Sequence, residues 1–277
     1  MLATAPVHSE IFAGNRAIGR IALSVRAAAG HSRRLRVHEQ GALRVRFPNG
    51  PTSNTLDAVI LNTAGGMTGG DRFAIDIDVG PDARLMVTTA AAEKIYRSLG
   101  PDTGIDVTLG VGPGAALAWL PQETILFDRL RLRRSIAVEL ARDADLTLAE
   151  AIVFGRSAMG ETVRRGNIFD RWRVRVGETL VFAESLRLDG AVAAKLAQRA
   201  VTGGSVAIAS VLKYPADEGK VAAVRALAQT FAGEVGVSAW NGVMLARLVA
   251  PDGAALHRDL IGVLTALGAP LPRLWLN

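Results

Sequence analysis

Apolar and polar residues alternate with a period of two along most of the chain up to about residue 212. The clearest run has Phe73, Ile75 and Ile77 on one face and Asp76 and Asp78 on the other. Because successive side chains of a strand point to opposite faces, such runs predict strands with one buried face. Similar runs cover residues 21–26, 35–47, 83–89, 124–127, 135–140, 146–154, 168–176, 179–188 and 205–212.

The period changes to helical spacing after about residue 212. Apolar positions recur every three or four residues near 217–231 and again near 253–267, where Asp252 is suited to cap the second helix. Residues 234–239 and 243–249 lie between these segments and again alternate as strands. The fold is therefore predicted to be mainly β with two C-terminal α-helices.

Composition is even along the chain, so we predict one domain over residues 1–277. Residues 1–20 are expected to be irregular, and the first eight lack the basic start and apolar core of a signal peptide. The apolar, proline-containing segment 270–277 is expected to dock on the body or on a partner.

Residues 62–72 connect two predicted strands through four glycines, Gly65, Gly66, Gly69 and Gly70. Glycine is used where the backbone needs a positive φ or must be closely approached, so a shaped loop ending at Asp71 is predicted. A long hairpin turn with a surface aspartate fits the same residues. No lysine follows the glycines and G-x-G-x-x-G is absent, so a nucleotide-binding loop is not indicated.

One segment of the chain repeats at an interval of 32 residues. Residues 73–85 and 105–117 each contain an alternating strand, a Val-Gly-Pro turn and a second strand. Such a repeat indicates strands stacked in similar layers, as in a β-solenoid or β-helix. Two ordinary hairpins would give the same pattern.

The net charge is +6, and 28 of the 32 basic residues are arginine. The arginines are scattered and aromatic residues make up only 5%, so a nucleic-acid-binding surface is not indicated. An acidic protein partner accounts for the same charge. Arg171, Arg173 and Arg175 alternate with Trp172 and Val174, which predicts a half-exposed strand with one basic face.

The absence of cysteine excludes structural disulfides and thiolate metal sites, as is typical of a reducing compartment. Uncharged stretches are short and interrupted by glycine and proline, which argues against a transmembrane helix. The protein is therefore expected to be cytoplasmic.

Carboxylates are the candidate chemical groups. Asp71, Glu150 and Glu184 lie in or beside apolar strands, where a carboxylate must be paired, hydrated or functional. Simple exposure on a strand face remains open for the two glutamates. The four histidines are dispersed and form no zinc motif, and G-x-S-x-G is absent. A hydrolase that uses paired carboxylates stays as the enzyme alternative.

Several motifs in order resemble the urease accessory protein D family, called UreD or, in some organisms, UreH. They lie within residues 58–190 and comprise Gly65, Gly66, Gly69, Gly70, Asp71 and Arg72; Thr88 and Thr89 with Tyr96 and Arg97; Pro121, Gln122 and Glu123; Gly155 and Arg156 with Glu161; and the segment from Glu184 to Asp189.

The resemblance implies a non-enzymatic scaffold of urease maturation with a β-helix-like fold and two helices. Such proteins bind apo-urease and UreF, and through UreF the GTPase UreG, in a hetero-oligomer. An internal passage is expected to carry nickel towards urease, and by motif Asp71, Glu150 and Glu184 are expected to line it. No permanently bound cofactor is implied. Weak oxygen ligands suit Ni²⁺ in transit, whereas cysteine or clustered histidine would retain it.

Overall fold

The computed structural model describes residues 15–48, 54–156 and 159–276. These residues form 17 strands in two sheets, three α-helices and one 3-10 helix. Most of the segment predicted to be irregular, residues 1–14, lies outside the described residues, and the first strand begins at Ile18.

Seven strands form the first sheet. They are β1 (Ile18–Ala28), β2 (His31–Gly41), β5 (Arg72–Val79), β8 (Thr103–Val111), β11 (Leu130–Leu140), β13 (Gly166–Val176) and β14 (Thr179–Gly190). Their order is β14-β13-β11-β8-β5-β1-β2. The five central strands are parallel to one another, and the two edge strands are antiparallel to their neighbours.

Ten strands form the second sheet. They are β3 (Leu43–Arg46), β4 (Leu56–Asn62), β6 (Arg84–Thr89), β7 (Glu93–Ile95), β9 (Ala116–Trp119), β10 (Thr124–Leu126), β12 (Asp145–Phe154), β15 (Ala207–Tyr214), β16 (Glu234–Trp240) and β17 (Val243–Ala250). Eight of them follow the order β16-β17-β15-β12-β9-β6-β4-β3, and β10 joins β12 to β7.

The helices are α1 (Val192–Leu196), α2 (Glu218–Ala226) and α3 (Gly253–Ala266), with the 3-10 helix at Arg273–Trp275. As predicted, Asp252 caps α3, since its Oδ1 accepts the N–H of Ala255 at 2.8 Å. Helix α2 ends five residues earlier than expected. Helix α1 was not predicted, because five residues are too few to show a helical period.

The 32-residue repeat appears as register between parallel strands. Phe73 lies opposite Ile105 and Val79 opposite Val111 in the first sheet, while Leu85 lies opposite Leu117 in the second. Each repeat therefore contributes one strand to each sheet, which confirms the solenoid-like stacking. The hairpin alternative is wrong here, because β5 and β6 lie in different sheets.

The same crossing between sheets corrects two local interpretations. The glycine connection from β4 to β5 also passes from one sheet to the other, so it is not a hairpin turn. Residues 35–47, predicted as one strand, are divided between β2 and β3, because Gly41 adopts a φ of +63° and turns the chain into the other sheet.

The apolar residues form two layers. The inward faces of the two sheets pack against each other, and the outer face of the second sheet packs against α2, α3 and the C-terminal segment. Trp275 is buried there, and its indole N–H donates to Thr88 Oγ1 at 3.1 Å, so this segment docks on the body as expected. No helix within the described ranges is long and apolar enough to span a membrane.

Strand β13 has the two faces that the alternation predicts. Trp172 and Val174 are buried between the sheets, while Arg171 and Arg175 are exposed on the outer face. The outer face of this parallel sheet therefore carries charge instead of the helices that usually cover such sheets.

Candidate functional site

Asp71 fixes the end of the glycine loop. Its Oδ1 accepts the N–H of Ala17 and its Oδ2 accepts the N–H of Thr68, each at 2.8 Å. The side chain is buried, so these two charge-assisted hydrogen bonds satisfy both carboxylate oxygens. Asp71 therefore has a clear positioning role for the loop.

The glycine loop packs tightly against Tyr96. Gly66 has a φ of +145°, and a Cβ atom at this position would overlap the tyrosine ring. The hydroxyl of Tyr96 donates to the carbonyl of Gly65 at 3.2 Å. The loop is thus shaped by a positive φ and a close approach, as the sequence predicts.

The other motif residues hold neighbouring loops. Thr89 Oγ1 accepts the N–H of Gln122 at 2.9 Å. Arg156 pairs with Glu161 at 2.6 Å and stacks on the ring of Phe127. These contacts fix the connections at one end of the stacked strands.

A buried group of three charges lies between the sheets. Arg134 on β11 and Asp170 on β13 are register partners, and Arg134 Nη2 lies 2.5 Å from Asp170 Oδ2. Glu150 on β12 of the opposite sheet accepts a hydrogen bond from Arg134 Nη1 and another, at 2.8 Å, from the indole N–H of Trp119. The side chains of the three charged residues are 4%, 6% and 8% exposed for Arg134, Asp170 and Glu150. We call Arg134, Glu150 and Asp170 the ion triad.

Burial and ion pairing have opposite effects on the pKa values of Arg134 and Glu150. Burial disfavours the charged guanidinium, but the negative charges of Asp170 and Glu150 outweigh this effect and raise the pKa of Arg134, which stays protonated. Burial raises the pKa of Glu150, and the charge of Arg134 and the hydrogen bond from Trp119 oppose part of that rise. The carboxylates are thus held in place by a permanent positive charge.

A cavity of about 230 Å³ leads from the loops to the ion triad. Its outer lining includes the exposed Gly65 and Ala91, and its inner lining includes the buried Arg134 and Glu150. Apolar side chains from both sheets, among them Phe73, form most of the remaining wall.

A second cavity of about 70 Å³ also borders these charges. Arg134, Glu150 and Asp170 line its inner part, and Glu184 and Arg247 line its outer part. Glu184 Oε1 lies 2.6 Å from Arg247 Nη1, which joins β14 of the first sheet to β17 of the second. Arg134 and Glu150 belong to the walls of both cavities.

The structure brings two of the three expected carboxylates together. Glu150 and Glu184 line the smaller cavity, whereas Asp71 lies in the wall of neither cavity. Sequence reasoning missed Arg134 and Asp170. Both interrupt an otherwise apolar inward-facing series, between Leu132 and Ile136 in β11 and between Ile168 and Trp172 in β13. A polar residue at such a position is a usable signal.

Glu93 was also missed as a site residue. It lines the larger cavity near the loops, and both of its carboxylate oxygens accept hydrogen bonds from Asn62 Nδ2, at 2.9 and 3.1 Å. Burial raises the pKa of Glu93, and the hydrogen bonds from Asn62 and from the N–H of Lys94 counter part of this rise. The larger cavity therefore has a carboxylate near its outer end and another at its inner end.

Metal-ligating groups are sparse in the part of the chain that the structure describes. No three His, Asp or Glu side chains there are grouped so that they could hold a metal ion together. The ring of His257 instead contacts the carbonyl of Trp275 at 3.0 Å and supports the C-terminal segment.

Comparison with known proteins identifies the family of this chain. The sequence profile described as "UreD urease accessory protein" matches residues 17–276. A urease accessory protein UreD from Rhodopseudomonas palustris strain HaA2 is 54% identical over 275 residues, covering 99% of this chain and 98% of that protein. A protein of the same name from Bradyrhizobium diazoefficiens is 51% identical over 271 residues, covering 98% of each chain.

A further relative, urease accessory protein UreD 3 of Bradyrhizobium sp. strain BTAi1, is 49% identical over 270 residues and covers 97% of each chain. The matched region thus spans both sheets and the C-terminal helices. This chain belongs to the UreD family of urease accessory proteins, which have a role in urease maturation.

Proposed function

We propose that this chain is a non-catalytic scaffold that binds apo-urease and UreF, and UreG through UreF, in the cytoplasm. In that complex it supports delivery of nickel to the urease active site through the space between its two sheets. Family membership supports the maturation role, and the arrangement of the two cavities supports the passage.

The main support for the proposed passage is the wall that the two cavities share. Arg134 and Glu150 line the inner part of each, and the cavities reach different parts of the surface, one near Gly65 and the other near Arg247. Carboxylates lie along this route at Glu93, Glu150 and Glu184. A dipositive ion crossing a protein interior needs such negative groups, because burial of an unpaired charge is costly.

The ligands along this route suit transient passage of Ni²⁺ better than its retention. The chain has no cysteine, and the carboxylates along the route are hard oxygen donors. Ni²⁺ prefers nitrogen or sulfur ligands for tight binding, so oxygen ligands release it readily. Nickel therefore passes along this route as cargo and is bound only transiently.

An exposed apolar region beside the larger cavity supports partner binding. Leu99 is 85% exposed and Tyr96 36% exposed, and both lie with Phe127 next to the glycine loop. Exposed apolar residues near a functional opening are typical of protein–protein contacts. A partner bound there would cover the outer end of the passage and keep nickel from escaping.

The hydrolase alternative is not favoured. Glu150 has a hydrogen-bond partner on each carboxylate oxygen, and Asp170 shares the same guanidinium. The two carboxyl groups of a retaining or inverting pair flank a substrate bond, whereas Glu150 and Asp170 flank a guanidinium. The motif resemblance and the family names also refer to an accessory role.

The test is urease activation in cells that carry the urease and partner genes, with complex formation measured in parallel by pull-down with UreF. Glu150→Gln and Glu184→Gln are expected to lower activation while the complex still forms. Glu139→Gln is the matched control, since that glutamate is exposed on the outer face of β11. Asp71→Ala is expected to lower activation and assembly together, because the N–H groups of Thr68 in the glycine loop and of Ala17 beside it lose their acceptor.

Two results would contradict the proposal. Failure of the wild-type chain to bind UreF would remove the scaffold. Full activation by both Glu150→Gln and Glu184→Gln would remove the passage and leave only a scaffold role.

A further inference from the structure

The ion triad has more negative than positive charge. With all three groups ionised, one guanidinium faces two carboxylates, so one negative charge is left over in a buried site. Among the residues that the structure describes, Asp170 Oδ1 and Arg134 Nε are buried without a hydrogen-bond partner. Asp170 is 5% exposed and lines the smaller cavity, so this site offers an unpaired oxygen to an incoming cation.

Arg134 stands where a cation would otherwise bind. Its two terminal nitrogens each bond a carboxylate, Nη1 to Glu150 of one sheet and Nη2 to Asp170 of the other. A guanidinium cannot ligate a metal, and its positive charge repels one at short range, most strongly where water is excluded. While Arg134 bridges the two carboxylates, it separates the two cavities both sterically and electrostatically.

We propose that Glu150 and Asp170 form a divalent-cation site that Arg134 keeps closed. The inference deepens the proposed passage and rests on it. An incoming Ni²⁺ first meets Asp170 Oδ1, displaces the guanidinium, and is then bound by the two carboxylates until it moves on. The exchange replaces one positive charge with two, and so it balances the two negative charges of Glu150 and Asp170. No covalent bond is formed or broken.

Register explains why the bridge forms at this level of the stack. The inward residues opposite Arg134 on the neighbouring strands are Ile105 and Asp170, and Phe73 lies beside Ile105. The apolar residues occupy one half of this layer and the charged residues the other half. A charged side chain in this layer has only the opposite sheet and the next strand as partners, and these supply Glu150 and Asp170.

The test measures Ni²⁺ binding to the purified full chain by equilibrium dialysis and by quenching of tryptophan fluorescence. Trp119 is bonded to Glu150 and Trp172 lines the smaller cavity, so both indoles report on this site. Arg134→Gln is expected to bind one Ni²⁺ at least about tenfold more tightly than the wild type, because a buried repulsion is removed. Adding Asp170→Asn to Arg134→Gln is expected to abolish the gain.

Arg131→Gln is the matched control. Arg131 lies on the same strand and also pairs with a carboxylate, Asp102 at 2.8 Å, but at a partly exposed position. This variant is expected to bind Ni²⁺ as the wild type does. A folded Arg134→Gln variant that shows no gain, or a gain that survives Asp170→Asn, would overturn the inference.

A second variant covers the case in which Arg134→Gln does not fold. Arg134→Lys keeps the charge, but a single ammonium does not match the two-armed bridge, so an intermediate gain in Ni²⁺ binding is expected. A Lys variant with wild-type binding would overturn the inference. If Ni²⁺ binding does not change but Glu150→Gln still lowers urease activation, the cation site closed by Arg134 is contradicted, whereas the proposed passage is supported. If activation is also unaffected, the proposed passage fails as well.

Discussion

Arg134 and Asp170 occupy the same register position on neighbouring parallel strands, with Arg134 Nη2 2.5 Å from Asp170 Oδ2. Inward positions above and below them hold large apolar residues such as Leu132 and Trp172. A charged pair at this depth costs solvation energy, and its partner Glu150 on the opposite sheet makes it a bridge across the core. In the buried interior, the two sheets are therefore joined by this charged bridge as well as by apolar packing.

The first prediction concerns the energetics of this bridge. Arg134→Met leaves two buried carboxylates without a counter-charge, so we expect the free energy of unfolding to fall by about 3–5 kcal/mol in metal-free buffer. Combining it with Glu150→Gln and Asp170→Asn removes all three charges and is expected to recover most of the loss. Urea denaturation followed by circular dichroism measures both effects.

Arg131→Met provides the comparison on the same strand. Its ion pair with Asp102 is partly exposed, so a loss of at most about 1 kcal/mol is expected. Equal losses from the two arginine variants would show that the buried position of Arg134 has no special energetic weight.

The second prediction follows from the raised pKa of Glu93. In the folded chain, burial makes its carboxyl group hold a proton to higher pH than in the unfolded chain. The contribution of this group to stability is therefore fully present below its ordinary pKa of 4.5 and is lost as pH rises through the folded-state value. Glu93→Gln removes the titration, so the variant should gain stability relative to the wild type as pH rises from 4 to 8.

The measurement is urea denaturation of both proteins across that pH range. The free energy of unfolding of Glu93→Gln relative to that of the wild type should increase with pH and then level off above the folded-state pKa of Glu93. A difference that is constant with pH would show that Glu93 titrates alike in the folded and unfolded chains.

The third prediction separates two adjacent glycines. Gly66→Ala places a Cβ against the ring of Tyr96 at a φ of +145°, so a loss of about 1–3 kcal/mol is expected. Gly65 also has a positive φ, +75°, but nothing lies within 4 Å of an added Cβ, so Gly65→Ala should cost only about 1 kcal/mol. Thermal unfolding of the two variants tests the difference. Equal costs would mean that Tyr96 moves aside freely.

Much of the fold follows from the sequence because its signals are local or periodic. The alternation places most strands within a few residues, and the 32-residue repeat gives the register of β5 on β8 directly. The division of residues 35–47 into two strands of different sheets did not follow. It depends on the φ of a single glycine, Gly41, and on which sheet each half can join.

The candidate site was predictable only in part. Glu150 is an obvious candidate because it interrupts an apolar strand, and the same argument applied to Arg134 and Asp170 would have found them. Their meeting did not follow from the sequence, since it requires the pairing of β11 with β13 and the distance between the sheets. Asp71 is the opposite case. Its motif identified the residue, but its hydrogen bonds to Ala17 and Thr68 became evident only in the structure.

The last prediction concerns the C-terminal segment. Trp275 is 3% exposed, donates to Thr88 Oγ1, and accepts a contact from the ring of His257 at its carbonyl. Trp275→Ala removes a large buried side chain and is expected to lower the free energy of unfolding by about 3–5 kcal/mol. The segment should then become accessible to proteases, because the indole is its main apolar anchor.

Leu276 is the neighbouring control, since its side chain is 63% exposed and its replacement by alanine should change stability by no more than about 0.5 kcal/mol. Urea denaturation and limited proteolysis with mass spectrometry of the fragments measure the two effects. If Trp275→Ala keeps wild-type stability and protection, the segment is held by its backbone and proline residues. If both change, the buried indole of Trp275 attaches the C-terminal segment to the outer face of the second sheet.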